Sequence, residues 1–184
     1  MKKKKKKLLY ILNVDRFLIS HRFEIALAAK RNNYEVHLGA NITNASKIIN
    51  SKGINTHNIS IKRSSTKIMD LFKTSISIYK LIKKIKPDIV HFISIKPIIL
   101  GCIVSKFISK DITLIASVSG LGYIFVDKSF YGNIKRIITR QLYKVALSNK
   151  KIKIIFQNSS DKKYIQKLCK IDEKRCHLIK GSGV

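Results

Sequence analysis

The stretch Pro87-Asp88-Ile89-Val90-His91-Phe92-Ile93-Ser94-Ile95-Lys96-Pro97 decides the fold. Pro87 cannot continue the long helical pattern before it, because its ring removes an amide donor and clashes with the preceding turn. Residues 89–93 are apolar and largely β-branched, the signature of a strand buried on both faces of a parallel sheet. Pro97 then suits the first turn of another helix, where its missing N–H costs nothing. Helix, strand and helix follow one another with no linker, which is the unit of an α/β layer.

The alternation extends in both directions. Further strands are predicted at 8–14, 35–38, 57–61, 113–117, 152–156 and 177–179. Ser20 is a candidate cap for a first helix ending near Asn32, with Phe23, Leu27 and Lys30 at helical spacing. Asn44 can cap a second that ends near Gly53, and Ser159 or Ser160 a last one over 161–169. Helices at 98–108 and 131–148 complete the set with the long one over 68–85. On that long helix the stripe Ile68, Leu71, Phe72, Ile76, Tyr79, Ile82 and Ile85 is expected to be buried, with Lys73, Lys80, Lys83 and Lys84 outward. The fold class is therefore α/β: a doubly wound, mostly parallel, Rossmann-like sheet. Ligands of such sheets gather beyond the carboxyl ends of the strands, which singles out loops 15–21, 91–97, 117–128 and 157–160.

A length of 184 residues suits one domain of ordinary size. Residues 1–180 read as that domain. Gly181-Ser182-Gly183-Val184, a glycine-rich turn directly after a strand, reads as the start of a second domain, with Gly181 and Gly183 at the interdomain passage.

Hydrophobic residues make up 45% of the chain, yet Lys or Arg interrupts every apolar run before the ~20 residues a membrane span needs. The run Lys2 to Lys7 before Leu8-Leu9-Tyr10-Ile11-Leu12 imitates a secretion signal, but Asn13, Asp15 and Arg16 cut the apolar part short and no small-residue cleavage pattern follows. A buried first strand is the better reading. Cys102, Cys169 and Cys176 have no metal-like spacing and are odd in number, which fits a reducing, cytoplasmic setting.

Basic side chains number 38 against 10 acidic ones, a formal net charge of +28. Such a charge attracts nucleic acid, anionic membranes or phosphorylated substrates. The lysines are spread over every predicted helix and no aromatic-rich strand pattern accompanies them, so specific nucleic-acid binding is not expected. A compositional preference for Lys, Ile and Asn explains the charge without any purpose; attraction to the inner face of an anionic membrane explains it with one. Both remain open.

The turn after the first strand contains no glycine, and no phosphate-cradling G-x-x-x-x-G-K-[ST] occurs, which disfavours dinucleotide oxidoreductases and P-loop nucleotidases. No G-x-S-x-G elbow and no metal-ligand histidine spacing is present. Carboxylates are scarce in the strand-end loops, where Asp15 and Asp127 are the possible bases. Ser119-Gly120-Leu121-Gly122-Tyr123 can bring backbone N–H groups to a phosphate or sugar, or can simply be a tight turn needing positive φ. His91 reads either as a group at the ligand edge of the sheet or as a core histidine bonded to a backbone carbonyl. His21 and Arg22, read as lying at the start of the first helix, and Lys96 before Pro97, suit an anion; each is equally readable as an ordinary surface residue.

Taken in order, these landmarks resemble the amino-terminal domain of family-4-like, retaining glycosyltransferases of the two-domain GT-B fold, of the kind that build bacterial surface polysaccharides. The matching stretches are Ser20-His21-Arg22 leading into Ala26-Leu27-Ala28, Tyr34-Glu35-Val36-His37, Lys86-Pro87-Asp88-Ile89-Val90-His91-Phe92 with Lys96-Pro97 and Gly101, Ser119-Gly120-Leu121-Gly122-Tyr123-Ile124-Phe125, Ile155-Phe156-Gln157-Asn158 and the closing Gly181-Ser182-Gly183-Val184. They span nearly the whole chain. There are departures. Relatives often carry a glycine pair where this chain has the bulky residues 15–19, a histidine where it has Ser119, and a glycine where it has Asn33.

The resemblance implies transfer of a sugar from a nucleotide donor, a UDP-sugar in expectation, to a lipid-linked or saccharide acceptor, without cofactor or metal. It implies that Ser119, Gly120, Leu121 and Gly122 line the donor side of a cleft and that His21, Arg22, His91 and Lys96 line the acceptor side. It also implies that the main donor-binding half lies outside this sequence, so the chain alone is expected to be inactive. A nucleotide-sugar epimerase of the same fold and a non-catalytic basic module for anionic lipid or nucleic acid are the alternatives.

Overall fold

The computed structural model describes residues 5–62, 65–108, 111–121 and 129–180, the side chain of Phe130 excepted. Seven strands, β1 (Lys7–Val14), β2 (Glu35–Asn41), β3 (Asn55–Asn58), β4 (Ile89–Ile93), β5 (Thr113–Val118), β6 (Ile152–Phe156) and β7 (Cys176–Leu178), form one sheet. Their order is β3-β2-β1-β4-β5-β6-β7, and every neighbouring pair is parallel. The doubly wound Rossmann-like reading is thereby shown.

Strand β1 explains why the sheet must be covered twice. Leu9 and Ile11 enter a core with residues of α3 (Ile68–Ile85), α4 (Ile95–Ser105) and α5 (Phe130–Leu147), while Leu8, Tyr10 and Leu12 enter another with α1 (Arg16–Arg31) and α2 (Ser46–Ser51). The last helix, α6 (Ser159–Cys169), inserts Ile165 into the first of these cores. Helix α4 is buried almost all round and sits tight on β4: a Cβ at Gly101 would lie 2.2 Å from the Phe92 ring. Only glycine permits that approach.

Several boundaries differ from expectation, each for a local reason. Helix α1 starts at Arg16, not after Ser20, because Asp15 caps it directly at the end of β1. Its buried residues are Leu18, Arg22 and Ala26, and Phe23 and Leu27, at the expected spacing, pack partly buried against the same core. Strand β3 ends at Asn58; Ile59 and Ile61 are buried beyond it, so their alternation marks core contact without ladder pairing. Helix α4 starts at Ile95, three residues early, and α6 starts at Ser159 under an Asn158 cap. On α3 the buried residues are Thr74, Ile78, Leu81, Ile82 and Ile85, whereas Ile68, Phe72 and Ile76 of the expected buried stripe are exposed. Lys73, Lys80, Lys83 and Lys84 do face outward. Asn33, read as a substitute for glycine, takes φ +64°, and Gly120 takes φ +120°.

Asp15 is fully buried and saturated with donors. Its carboxylate accepts from the Arg16 amide (2.8 Å), the Thr43 amide (2.7 Å) and the Thr43 hydroxyl (2.7 Å). These bonds tie the β1–α1 turn to the chain leaving β2. The carboxylate serves the fold in this arrangement, and Asp15→Ala strands three donors. We expect a loss of about 2–4 kcal/mol, read as a lower urea midpoint at unchanged m-value.

Candidate functional site

Strand order reverses between β1 and β4, since β2 and β3 continue on one side of β1 and β4 to β7 on the other. In sheets of this kind the connections diverge at such a point, and ligands sit there beyond the carboxyl ends of the strands. Three strands carry buried polar side chains on the α1 face near this point. Tyr10 of β1 pairs in register with His91 of β4, their rings 5.3 Å apart, and His91 Nε2 lies 2.6 Å from the Ser117 hydroxyl of β5. His91 is thus satisfied by a side chain on the neighbouring strand, not by a backbone carbonyl.

Arg22 covers this group from above. It lies between Leu18 and Ala26 on the buried stripe of α1, donates from Nη1 to the His21 carbonyl (2.9 Å), and pairs with no carboxylate among the described residues. Because α1 begins at Arg16, neither His21 nor Arg22 is at the amide end of the helix, which corrects the expectation that placed them there. His21 is exposed and contacts the Ser20 hydroxyl through Nδ1.

Burial governs the protonation of the group. Desolvation pushes the His91 imidazole down to about 3, with the Arg22 charge acting in the same sense, and raises the Tyr10 phenol to about 12. Arg22 is itself disfavoured as a cation by burial, a shift that the charge of an ionised Tyr10 would oppose. At neutral pH the arrangement is one fixed positive charge set among neutral donors and acceptors. His91 cannot act there as a charged acid.

Two residues that sequence reasoning passed over lie beside the reversal point. Asn13, the last residue but one of β1, has a buried Oδ1 without a hydrogen-bond partner among the described residues, so a donor is wanted at that point. Ser94, between β4 and α4, has φ +77° and ψ 160°, a region that suits glycine. No residue pattern announces the second. An asparagine closing an apolar strand is a faint signal for the first.

Lys96, in the first turn of α4, donates to the carbonyls of Lys62 and Ser65, the latter at 2.8 Å, and so holds the connection from β3 to α3 against α4. Burial lowers its pKa, and the nearby Asp70 works against that shift. Ser119 is exposed just past the end of β5, Gly120 has open space where a Cβ would stand, and Leu121 packs on the larger core. Gly122 and Asp127 lie outside the described residues, as do Gly181 and Gly183. Among the described residues no cluster of His, Cys, Asp or Glu is arranged to hold a metal ion.

The sheet has the fold of the amino-terminal half of the GT-B architecture, as the likeness to solved structures shows. The chain belongs to the glycosyl transferase 4-like family, whose model matches residues 7–158. A comparison with curated protein sequences gave no match. Among solved structures, a glycosyltransferase from Rickettsia africae ESF-5 is 17% identical, covering 97% of this chain and 43% of that one at a TM-score of 0.64. UDP-N-acetylglucosamine 2-epimerase from Rickettsia bellii is 15% identical, covering 97% and 45% at 0.63. Anabaena HepE in complex with UDP-glucose is 12% identical, covering 95% and 43% at 0.61. The chain thus spans less than half of each of these structures, and at such identities the likeness is one of fold.

The buried histidine makes stability depend on pH. With its folded pKa below the unfolded value near 6.5, the unfolded chain binds more protons between pH ~6.5 and about 3. The His91 contribution is full above pH ~6.5 and is lost as pH falls toward 3, with a slope of up to about 1.4 kcal/mol per pH unit. His37 and His57, also lowered mainly by burial, add to the same trend. His91→Gln keeps a polar partner for Ser117 and cannot titrate, so urea unfolding between pH 4 and 7 is expected to show a shallower slope for the variant.

Strain at Ser94 is separately testable. Ser94→Gly should raise stability by about 1 kcal/mol, read as an upward shift of the urea midpoint.

Proposed function

We propose that this chain is the acceptor-side domain of a glycosyltransferase that moves a sugar from a nucleotide donor, a UDP-sugar, to a lipid-linked or saccharide acceptor in surface polysaccharide assembly. The observation that carries the reading is the match of residues 7–158 to the glycosyl transferase 4-like family on a sheet whose reversal point holds Arg22, Tyr10, His91 and Ser117. Arg22 supplies a fixed positive charge that no described carboxylate neutralises. It attracts an anionic acceptor, or the phosphates of a donor held mainly by a second domain beginning near Gly181. The orphan Oδ1 of Asn13 offers an acceptor to a sugar hydroxyl. Ser119 and the backbone of Gly120, Leu121 and Gly122 line the donor side, and His21 and Lys96 flank the acceptor side. The work is done on the inner face of the plasma membrane, to which the protein is peripherally attached; among the described residues no helix is long and apolar enough to cross it.

A nucleotide-sugar epimerase is the second reading, favoured by the solved epimerase that shares this fold. The two are separated by the product. Joined to the carboxyl-terminal half of a related transferase and given radiolabelled UDP-sugars, the protein should move label into a lipid or saccharide acceptor, and Arg22→Gln should cut kcat/KM by tenfold or more, about 1.4 kcal/mol. Label remaining on the nucleotide in an inverted sugar, with no acceptor needed, would instead establish the epimerase. The chain alone should be inactive toward every donor; turnover by it would remove the half-enzyme reading.

A further inference from the structure

Helix α5 has two apolar faces where one is needed. Thr139, Tyr143, Ala146 and Leu147 face the domain and are buried. The opposite face, which solvent should make polar, carries Ile134, Ile137, Ile138 and Val145, with Tyr131 at its start; Tyr131 is 75%, Ile137 56% and Ile138 52% exposed. At 100° per residue these positions form one outward stripe, interrupted by the exposed Gln141, with Lys135 along one border and Lys144 along the other. An outward apolar stripe bordered by cations is not explained by packing within the domain.

Its place in the fold gives it a direction. Strands here are parallel, so each helix after a strand begins at the ligand edge, and Tyr131 to Ile138 occupy the half of α5 nearer that edge. Helix α3, across α4 on the same face of the sheet, repeats the design: Ile68, Met69 and Phe72 are exposed in its first turns and Lys80, Lys83 and Lys84 follow farther from that edge.

We propose that the outward face of α5, assisted by the start of α3, seats the protein on an anionic lipid bilayer. The isoleucines enter the boundary between headgroups and acyl chains, and the bordering lysines meet anionic headgroups. This surface rests on the reading above only in that a lipid-linked acceptor would give the seating a purpose; lipid binding itself needs no acceptor. The charge of +28 and the basic borders of the stripe favour a bilayer over a second copy of so basic a chain.

The test uses the whole chain and vesicles of phosphatidylcholine with or without phosphatidylglycerol, with no acceptor lipid present. Binding should require phosphatidylglycerol. A variant combining Ile134→Ser, Ile137→Ser and Ile138→Ser should lower partitioning on the order of tenfold at both low and physiological salt. Lys135→Gln with Lys144→Gln should lower it a few-fold at low salt and by less as the Debye length shortens. Unchanged partitioning of the isoleucine variant, at an unchanged unfolding midpoint, would overturn the proposal. So would gel filtration showing a dimer that this variant dissociates, or loss of vesicle binding when a carboxyl-terminal half is attached, since the face would then belong to a partner surface. Vesicle binding without sugar transfer by the joined protein would count against the functional reading alone.

Discussion

The three hydrogen bonds received by the Asp15 carboxylate set the geometry at the point where the strand order reverses. A helix can start anywhere its first amides find acceptors. Here the acceptor is the first residue after β1, so α1 leaves the strand without a loop and descends over the sheet. That start fixes the helical phase: counting from Arg16, the positions that meet the sheet are 18, 22 and 26. Arg22 is therefore driven under the helix, above Tyr10 and His91, though its chemistry alone would leave it in water. The same carboxylate reaches Thr43, so the ends of β1 and β2 are held together beside the reversal point.

A guanidinium placed in this way costs free energy, because desolvation disfavours its charge and no described carboxylate compensates it. The fold limits that cost by surrounding it with neutral groups. Burial keeps Tyr10 protonated and His91 unprotonated, and Ser117 gives His91 a partner without adding charge. Arg22 thus keeps its field unspent by any ion pair among the described residues. In such a low-dielectric setting a charge acts more strongly than the many lysines of the surface, whose charges water and salt screen.

The sheet was legible because parallel strands buried on both faces read as apolar runs, and residues 8–14, 89–93, 113–117 and 152–156 all do. The first helix was misplaced because its buried stripe contains an arginine, which periodicity takes for a solvent-facing residue. Ile59 and Ile61 suggested strand since core contact and ladder pairing leave the same alternating trace. The residues near the reversal point were legible as residue types at strand ends, and their partners were not. The His91–Ser117 bond joins positions far apart in sequence, and the φ of Ser94 follows from a sharp passage between β4 and α4 that no residue type encodes. The outward isoleucines of α5 stood in plain view, but a stripe shows a face without saying which way it points.

The outermost strand on one side of the sheet is Asn55-Thr56-His57-Asn58, four polar residues with only a short ladder. A parallel sheet is a template for further strands wherever its edge is long, flat and apolar. A passing chain that tried to extend this one would find few backbone groups to pair, no apolar side chains to cover, and His57 already facing His37 across the ladder at 3.1 Å. Growth by strand addition is therefore discouraged at that boundary of the sheet.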